Sequence, residues 1–231
     1  MTSTGETSGT VSLGLRAAIR AVLGFVVYGA LFFGTAGTFD FWEAWLFLGT
    51  LFIPAIGSLI YLARADPELL ERRMRTREVR PRQKVNMLMF SATWLLVFAL
   101  PGLDHRLGWS AVPIWLVVLS DAVVLVSYLL VVRVLLENRY ASRTIGVDEG
   151  QELVTTGLYA VVRHPMYLAI LPMILFTPLA LGSWWAMIPA LFAPISLVTR
   201  ILDEEEALRE GLPGYVDYMQ ETRSRLIPGI W

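Results

Sequence analysis

The chain has 231 residues, a formal net charge of −1, 55% hydrophobic and only 17% charged residues, and a mean hydropathy of +0.57. That balance is too apolar for an ordinary soluble domain, so the excess apolar surface faces lipid. The absence of cysteine excludes disulfides, thiolate nucleophiles, Cys-type zinc sites and iron–sulfur clusters. With His105 and His164 the two histidines of the chain, no multi-histidine metal site is expected.

Residues 1–15 open with MTSTGETSGT, small and polar, and are read as a disordered tail. Arg16 and Arg20 then flank the start of an apolar run too long for a signal peptide. A spanning helix needs about 20 apolar residues, and candidate spans follow at 17–36, 41–63, 86–102, 111–134, 166–181 and 184–201. The expected fold is therefore an all-α, polytopic integral membrane protein with about six transmembrane helices. Pro172, Pro178, Pro189 and Pro194 fall in the last two spans, and Gly182-Ser183 divides them into an expected helical hairpin. Residues 16–136 form the first four spans, and 137–231 carry the polar motifs and the remaining two.

Of the 19 basic residues, all but Arg106 fall on one side of this topology. The positive-inside rule then puts both termini, the long loops and the candidate pocket in the cytoplasm. Trp42, Trp45, Trp109, Trp115, Trp184 and Trp185 gather at the opposite ends of the spans, as interfacial aromatic belts do. The basic stretch ERRMRTREVRPRQK (71–84) lacks interleaved aromatics and lies between spans. It reads as a topology determinant touching anionic lipid, with no nucleic-acid partner. Asp121 falls inside span four, where a charge is costly; it either bonds a neighbouring helix or lines an acceptor path.

The chemistry concentrates after span four. In RHPMY (163–167), Pro165 suits the first turn of a helix and pushes His164 into an extended conformation. The free N–H groups of that helix start attract anions, and Arg163 adds a guanidinium able to grip a carboxylate. Tyr167 lies in the first turn. The alternative is an Arg–His pair snorkelling to lipid headgroups. Arg200 and Glu204, four apart, share a helix face and either pair with each other or hold a ligand between them. Of the acidic run 203–206, two or three residues are expected to be solvated. The extended stretch Leu153-Val154 offers backbone groups to a flat heterocycle. Glu137 and Asn138 are candidates for acceptor contacts, whereas Tyr215 and Tyr218 read as packing of a C-terminal helix.

The order ENRYAS, ELVTTGLYAVVRHPMY, R-I-x-x-EE-x-x-L and PGY-x-x-Y across 137–231 resembles the isoprenylcysteine carboxyl methyltransferase family and related membrane phospholipid methyltransferases. The resemblance implies S-adenosylmethionine as cofactor and a lipophilic methyl acceptor drawn from the bilayer. By position, Gln151, Glu152, Leu153, Val154 and Tyr159 would surround the adenosine. Arg163, His164, Pro165, Met166 and Tyr167 would meet the amino-acid end, with Glu204 facing the same cofactor and Arg200 the acceptor. Arg200, Glu204 and His164 are the implied catalytic residues. Two departures stand out: Gly157-Leu158-Tyr159 where the family has Gly-Pro-Tyr, which predicts a looser turn, and no counterpart in 144–149 of an upstream glutamine. Amine N-methylation and an NADPH-dependent, sterol-reductase-like activity are the alternative enzymatic readings. A non-catalytic transporter or assembly factor is the remaining one.

Overall fold

The computed structural model describes residues 4–74, 83–140, 147 and 150–231, with side chains omitted for 4–12, 72–73 and 83–90. The described residues form helices and no strands: α1 (Thr4–Ala36), α2 (Trp42–Ala65), α3 (Pro67–Met74), α4 (Gln83–Leu107), α5 (Ile114–Glu137), α6 (Pro165–Ala180), α7 (Met187–Ala190), α8 (Ala193–Gly211) and α9 (Tyr215–Glu221). The centre of the basic loop (75–82), most of the segment searched for the missing glutamine, and residues 1–3 lie outside the described residues. The stretch read as a disordered tail is helical from Thr4 onward, continuous with the apolar run behind it.

Three helical stretches among the described residues are long and apolar enough to cross a membrane, Leu13–Ala36, Trp42–Ala65 and Ile114–Glu137. Their outward faces carry side chains such as Val22, Ile53 and Leu129, each more than half exposed. Apolar surface on that scale needs lipid or a partner to cover it. The expected fifth and sixth spans take a different form. α6 has 16 residues, about 24 Å at 1.5 Å per residue against a hydrocarbon core of about 30 Å. The run 184–201 is not one helix: a turn and the single-turn α7 precede α8, which starts afresh with Pro194 in its first turn. Proline lacks the N–H that a continuous helix requires, which accounts for a restart here. α8 then carries the chain back past α6, so the two helices still form a returning pair closed at Gly182 (φ +72°).

The bundle is closed at one end by Asp104. Its carboxylate accepts from the Ser110 amide (2.8 Å), the Ser110 hydroxyl (2.6 Å) and the Ser183 hydroxyl (2.5 Å). Three donors satisfy a charge that would otherwise be expensive to bury. This knot joins α4 to the loops before α5 and after α6. The six tryptophans expected at this end are all exposed there, Trp109 and Trp185 edge to face at 6.3 Å. In the middle, Phe32, Phe41, Phe47 and Leu48 are buried with Val124 and Leu181, and Tyr28 meets Phe98 edge-on at 4.8 Å. Gly102 lets α4 touch α1: a Cβ there would collide with the Thr35 hydroxyl and the Phe32 carbonyl.

The other end gathers the polar motifs. Asp66 Oδ1 accepts from the Leu69 amide (3.2 Å) and so caps α3, while Arg139 reaches Asp66 Oδ2 at 2.8 Å. The end of α2 is thereby fixed beside the end of α5, where the site begins.

Candidate active site

α5 ends at Glu137 and hands the chain to a loop that it then holds. Gly157 (φ +58°) turns the backbone into a short 3₁₀ segment, Gly157–Ala160. Glu137 Oε1 accepts from the Leu158 amide at 2.9 Å. A side chain at 157 would clash with that carboxylate, so glycine is required both for φ and for the close approach. Asn138 Nδ2 donates to the Tyr159 hydroxyl at 3.1 Å. The expected loosening at the Gly-Leu-Tyr departure is therefore not found. Leucine brings an N–H that proline lacks, and Glu137 takes it.

Residues 151–155 run without helix or turn, and Leu153 packs against Leu212, Tyr215 and Tyr218. The Tyr218 hydroxyl donates to the Tyr159 carbonyl at 2.6 Å. Burial raises the phenols of Tyr159, Tyr215 and Tyr218, the last to about 12, so each stays protonated at neutral pH.

At 163–167 the geometry follows the proline argument: His164 is the N-cap of α6 (φ −124°, ψ 63°) and Pro165 its first residue. The amides of Arg163 and His164 donate to the carbonyls of Ser224 and Arg225, each at 3.0 Å. The segment after α9 thus clamps the entry to α6.

Arg163 departs from expectation. It is buried, its Nε donates to Glu205 Oε1 at 2.8 Å, and its Nη1 donates to the carbonyls of Thr222 and Arg223, both at 2.8 Å. Three bonds to protein commit this guanidinium to holding the fold, in place of the ligand grip expected from sequence. Its partner, Glu205, is 1% exposed and also accepts from Arg225 (3.0 Å) and Arg209 (3.4 Å). Burial alone would raise the Glu205 carboxyl. Hydrogen bonds from His164, Arg225 and Arg163 outweigh it and bring the group down to about 2. Sequence reasoning treated 203–206 as a largely solvated run. The spacing Leu197, Ile201, Glu205 puts one of them on the buried face of α8, a signal that was available.

Tyr167 joins the two residues expected to act together. Arg200 Nε donates to the Tyr167 hydroxyl at 2.9 Å, and that hydroxyl donates to Glu204 Oε2 at 2.5 Å. The chain Arg200–Tyr167–Glu204 bridges α6 and α8 above an apolar cluster of Leu197, Ile201 and Leu171.

These parts line one partly open cavity, with about 80 Å³ of free space inside. Gln151, Glu152, Leu153, Val154 and Tyr159 line one side, and Arg163, His164, Pro165, Met166, Tyr167 and Glu204 the other. Arg200 reaches it through Tyr167. Asn138, Tyr215 and Tyr218 also line it; both tyrosines had been assigned to packing alone. Asp121 is buried in α5, away from this cavity's lining. Among the described residues no cluster of His, Asp and Glu is suited to a metal.

The sequence model of the isoprenylcysteine carboxyl methyltransferase (ICMT) family matches residues 115–210, from the start of α5 almost to the end of α8. No curated protein sequence matches the chain. Among solved structures, the eukaryotic intramembrane Ras methyltransferase ICMT, determined without a monobody, is similar over 93% of this chain and 77% of its own. The TM-score is 0.57 and the identity 18%, a likeness that shows a shared fold. The segment 115–210 thus carries the sequence pattern of the isoprenylcysteine carboxyl methyltransferase family, and the chain shares the fold of that solved methyltransferase, with three helices among the described residues long and apolar enough to cross a membrane.

Proposed function

We propose that the chain transfers a methyl group from S-adenosylmethionine to the carboxylate of a lipophilic, isoprenylcysteine-like acceptor at the cytoplasmic face of a membrane. One observation carries this reading: the residues that the family resemblance assigns to the cofactor, drawn from three separate stretches of chain, line a single cavity.

The cavity's chemistry fits the group. A zwitterionic amino-acid end wants an anion for its ammonium, and Glu204 supplies one. It also wants donors for its carboxylate, and His164 stands at a helix mouth beside Arg163. Tyr159 and the extended 151–155 backbone suit a flat heterocycle. When bound, the cofactor supplies an electrophilic methyl on a sulfonium.

The protein's own part is alignment. A carboxylate acceptor is already ionised at neutral pH, so it needs positioning and no base. Good positioning lowers a barrier by as much as about 7–11 kcal/mol in ideal cases. Arg200 orients the acceptor's carboxylate, and Tyr167 fixes Arg200 relative to Glu204. The apolar flank of α6 and α8 admits the acceptor's hydrocarbon part from the bilayer. The concentration of basic residues at the site end of the bundle supports the cytoplasmic orientation.

The test has two arms. Calorimetry on the detergent-solubilised chain should register S-adenosylmethionine binding that Glu204→Ala weakens. Membranes given radiolabelled S-adenosylmethionine should yield a base-labile label on a lipidated carboxylate. Absence of binding sinks the cofactor assignment. A base-stable label on an amine phospholipid replaces the carboxyl acceptor with an amine, and hydride transfer from NADPH replaces the reaction class.

A further inference from the structure

On the cavity wall the hydroxyl of Tyr215 has no hydrogen-bond partner among the described residues, and Nε2 of His164 has only a long approach of 3.5 Å to Glu205. Tyr215 is 3% and His164 4% exposed. Buried polar atoms are almost always satisfied, and an orphaned one is costly. An orphaned hydroxyl on a residue that lines the cavity indicates a group held in readiness for a ligand.

The adjacent tyrosines of α9 separate packing from recognition. Tyr215 and Tyr218 sit ring against ring at 5.8 Å, and both belong to the cluster that receives Leu153. The Tyr218 hydroxyl is used up on the Tyr159 carbonyl. The Tyr215 hydroxyl is not used at all, although its ring is fixed just as firmly. A fixed ring with a vacant O–H is a preorganised donor.

The charge nearby specifies what it donates to. Three guanidinium groups, from Arg163, Arg225 and Arg209, converge on the single carboxylate of Glu205. His164 Nε2 stands 3.5 Å from the same carboxylate. The cluster behind this wall, of which Arg163 alone among the three arginines lines the cavity, therefore carries surplus positive charge, and a neutral phenol O–H beside it is matched to an anionic acceptor. Glu204, with its own carboxylate, bounds the cavity elsewhere along α8 and suits the opposite charge.

We propose that the Tyr215 hydroxyl is a ligand-binding group that hydrogen-bonds the carboxylate at the amino-acid end of the methyl donor. The assignment rests on the cofactor reading above. It adds to that reading a residue outside the segment matched by the family model and ten or more positions beyond Glu204 in the chain.

Calorimetry on the solubilised full chain tests it with three probes: S-adenosylmethionine, its decarboxylated form, and 5′-methylthioadenosine, which lacks the amino-acid end. Tyr215→Phe should weaken S-adenosylmethionine roughly tenfold or more, the loss expected for one hydrogen bond to a charged group. It should leave the other two probes within about twofold. Because the variant removes an orphaned hydroxyl, the ligand-free melting temperature should not fall. Tyr218→Phe is the control for packing: it should lower the ligand-free melting temperature and affect all three probes alike. Unchanged S-adenosylmethionine affinity in Tyr215→Phe overturns the proposal, and so does an equal loss for all three probes. If the unmodified chain binds none of them, the cofactor reading fails and this assignment falls with it.

Discussion

The guanidinium of Arg163 and the carboxylate of Glu205 meet at 2.8 Å, each almost wholly buried. They come from opposite sides of the α6–α8 pair and carry the segment after α9 with them. Removing one member leaves the other as an uncompensated buried charge, which costs about 3–5 kcal/mol. Glu205→Gln should therefore lower the melting temperature by roughly 10 °C for a chain of this size. Glu206→Gln, on the exposed face one position along, should change stability by less than about 0.5 kcal/mol. Thermal unfolding of both variants in one detergent checks the contrast; equal effects would show that the pair is not what holds the segment.

The same carboxylate predicts an acid limit. Glu205 is lowered in the folded state from an ordinary 4.5 to about 2. A depressed carboxyl contributes stability that is fully present above the unfolded value and is lost as pH falls toward the folded one. The contribution is on the order of 3 kcal/mol. Stability should hold above about pH 4.5 and drop between there and about pH 2, and Glu205→Gln should flatten that part of the profile. Urea midpoints measured across the range provide the readout.

Glu137 and Leu158 form a pair that the family's usual proline could not. Glu137→Ala should cost about 1–3 kcal/mol by orphaning the Leu158 amide. Leu158→Pro removes the donor and strands a carboxylate whose Oε2 already lacks a partner. In the Glu137→Ala background the same proline should be far better tolerated. A double-mutant cycle on thermal stability should therefore give a coupling of about 0.5–3 kcal/mol, and additive effects would refute the pairing.

Tyr167→Phe removes the hydroxyl that Arg200 and Glu204 share. Under the proposed function, methyl transfer should fall by roughly 10²-fold, in line with the cost of misplacing a positioning group. The ring stays packed against α8, so the melting temperature should stay within a few degrees. Single-turnover transfer with labelled donor, read beside a melt, separates the two.

How much of this was visible in the sequence differs by level. The pocket was legible because its residues obey local rules: Pro165 starts α6 and extends His164, and Gly157 turns the chain before Tyr159. Helix spacing likewise put Arg200 and Glu204 on one face. Tertiary competition was not legible. Arg163 looked like a ligand's partner until three acceptors from distant stretches claimed it, and composition alone did not say which member of the acidic run is the buried one, which its register with Leu197 and Ile201 decides. The sixth span failed for a related reason. Hydropathy sums over 184–201 without weighing what Pro189 and Pro194 do to a helix ladder, and α8 continues well past the apolar stretch.

The clamp on residues 163 and 164 has a dynamic corollary. Their amide protons are tied to the carbonyls of Ser224 and Arg225 and to no helix of their own. Exchange of these two protons with solvent is thus governed by release of the last ten residues and not by melting of α6. When that stretch lifts, His164 loses its register, and the imidazole's placement beside the cavity is only as durable as a short piece of irregular backbone pinned by Arg225 and by Trp231.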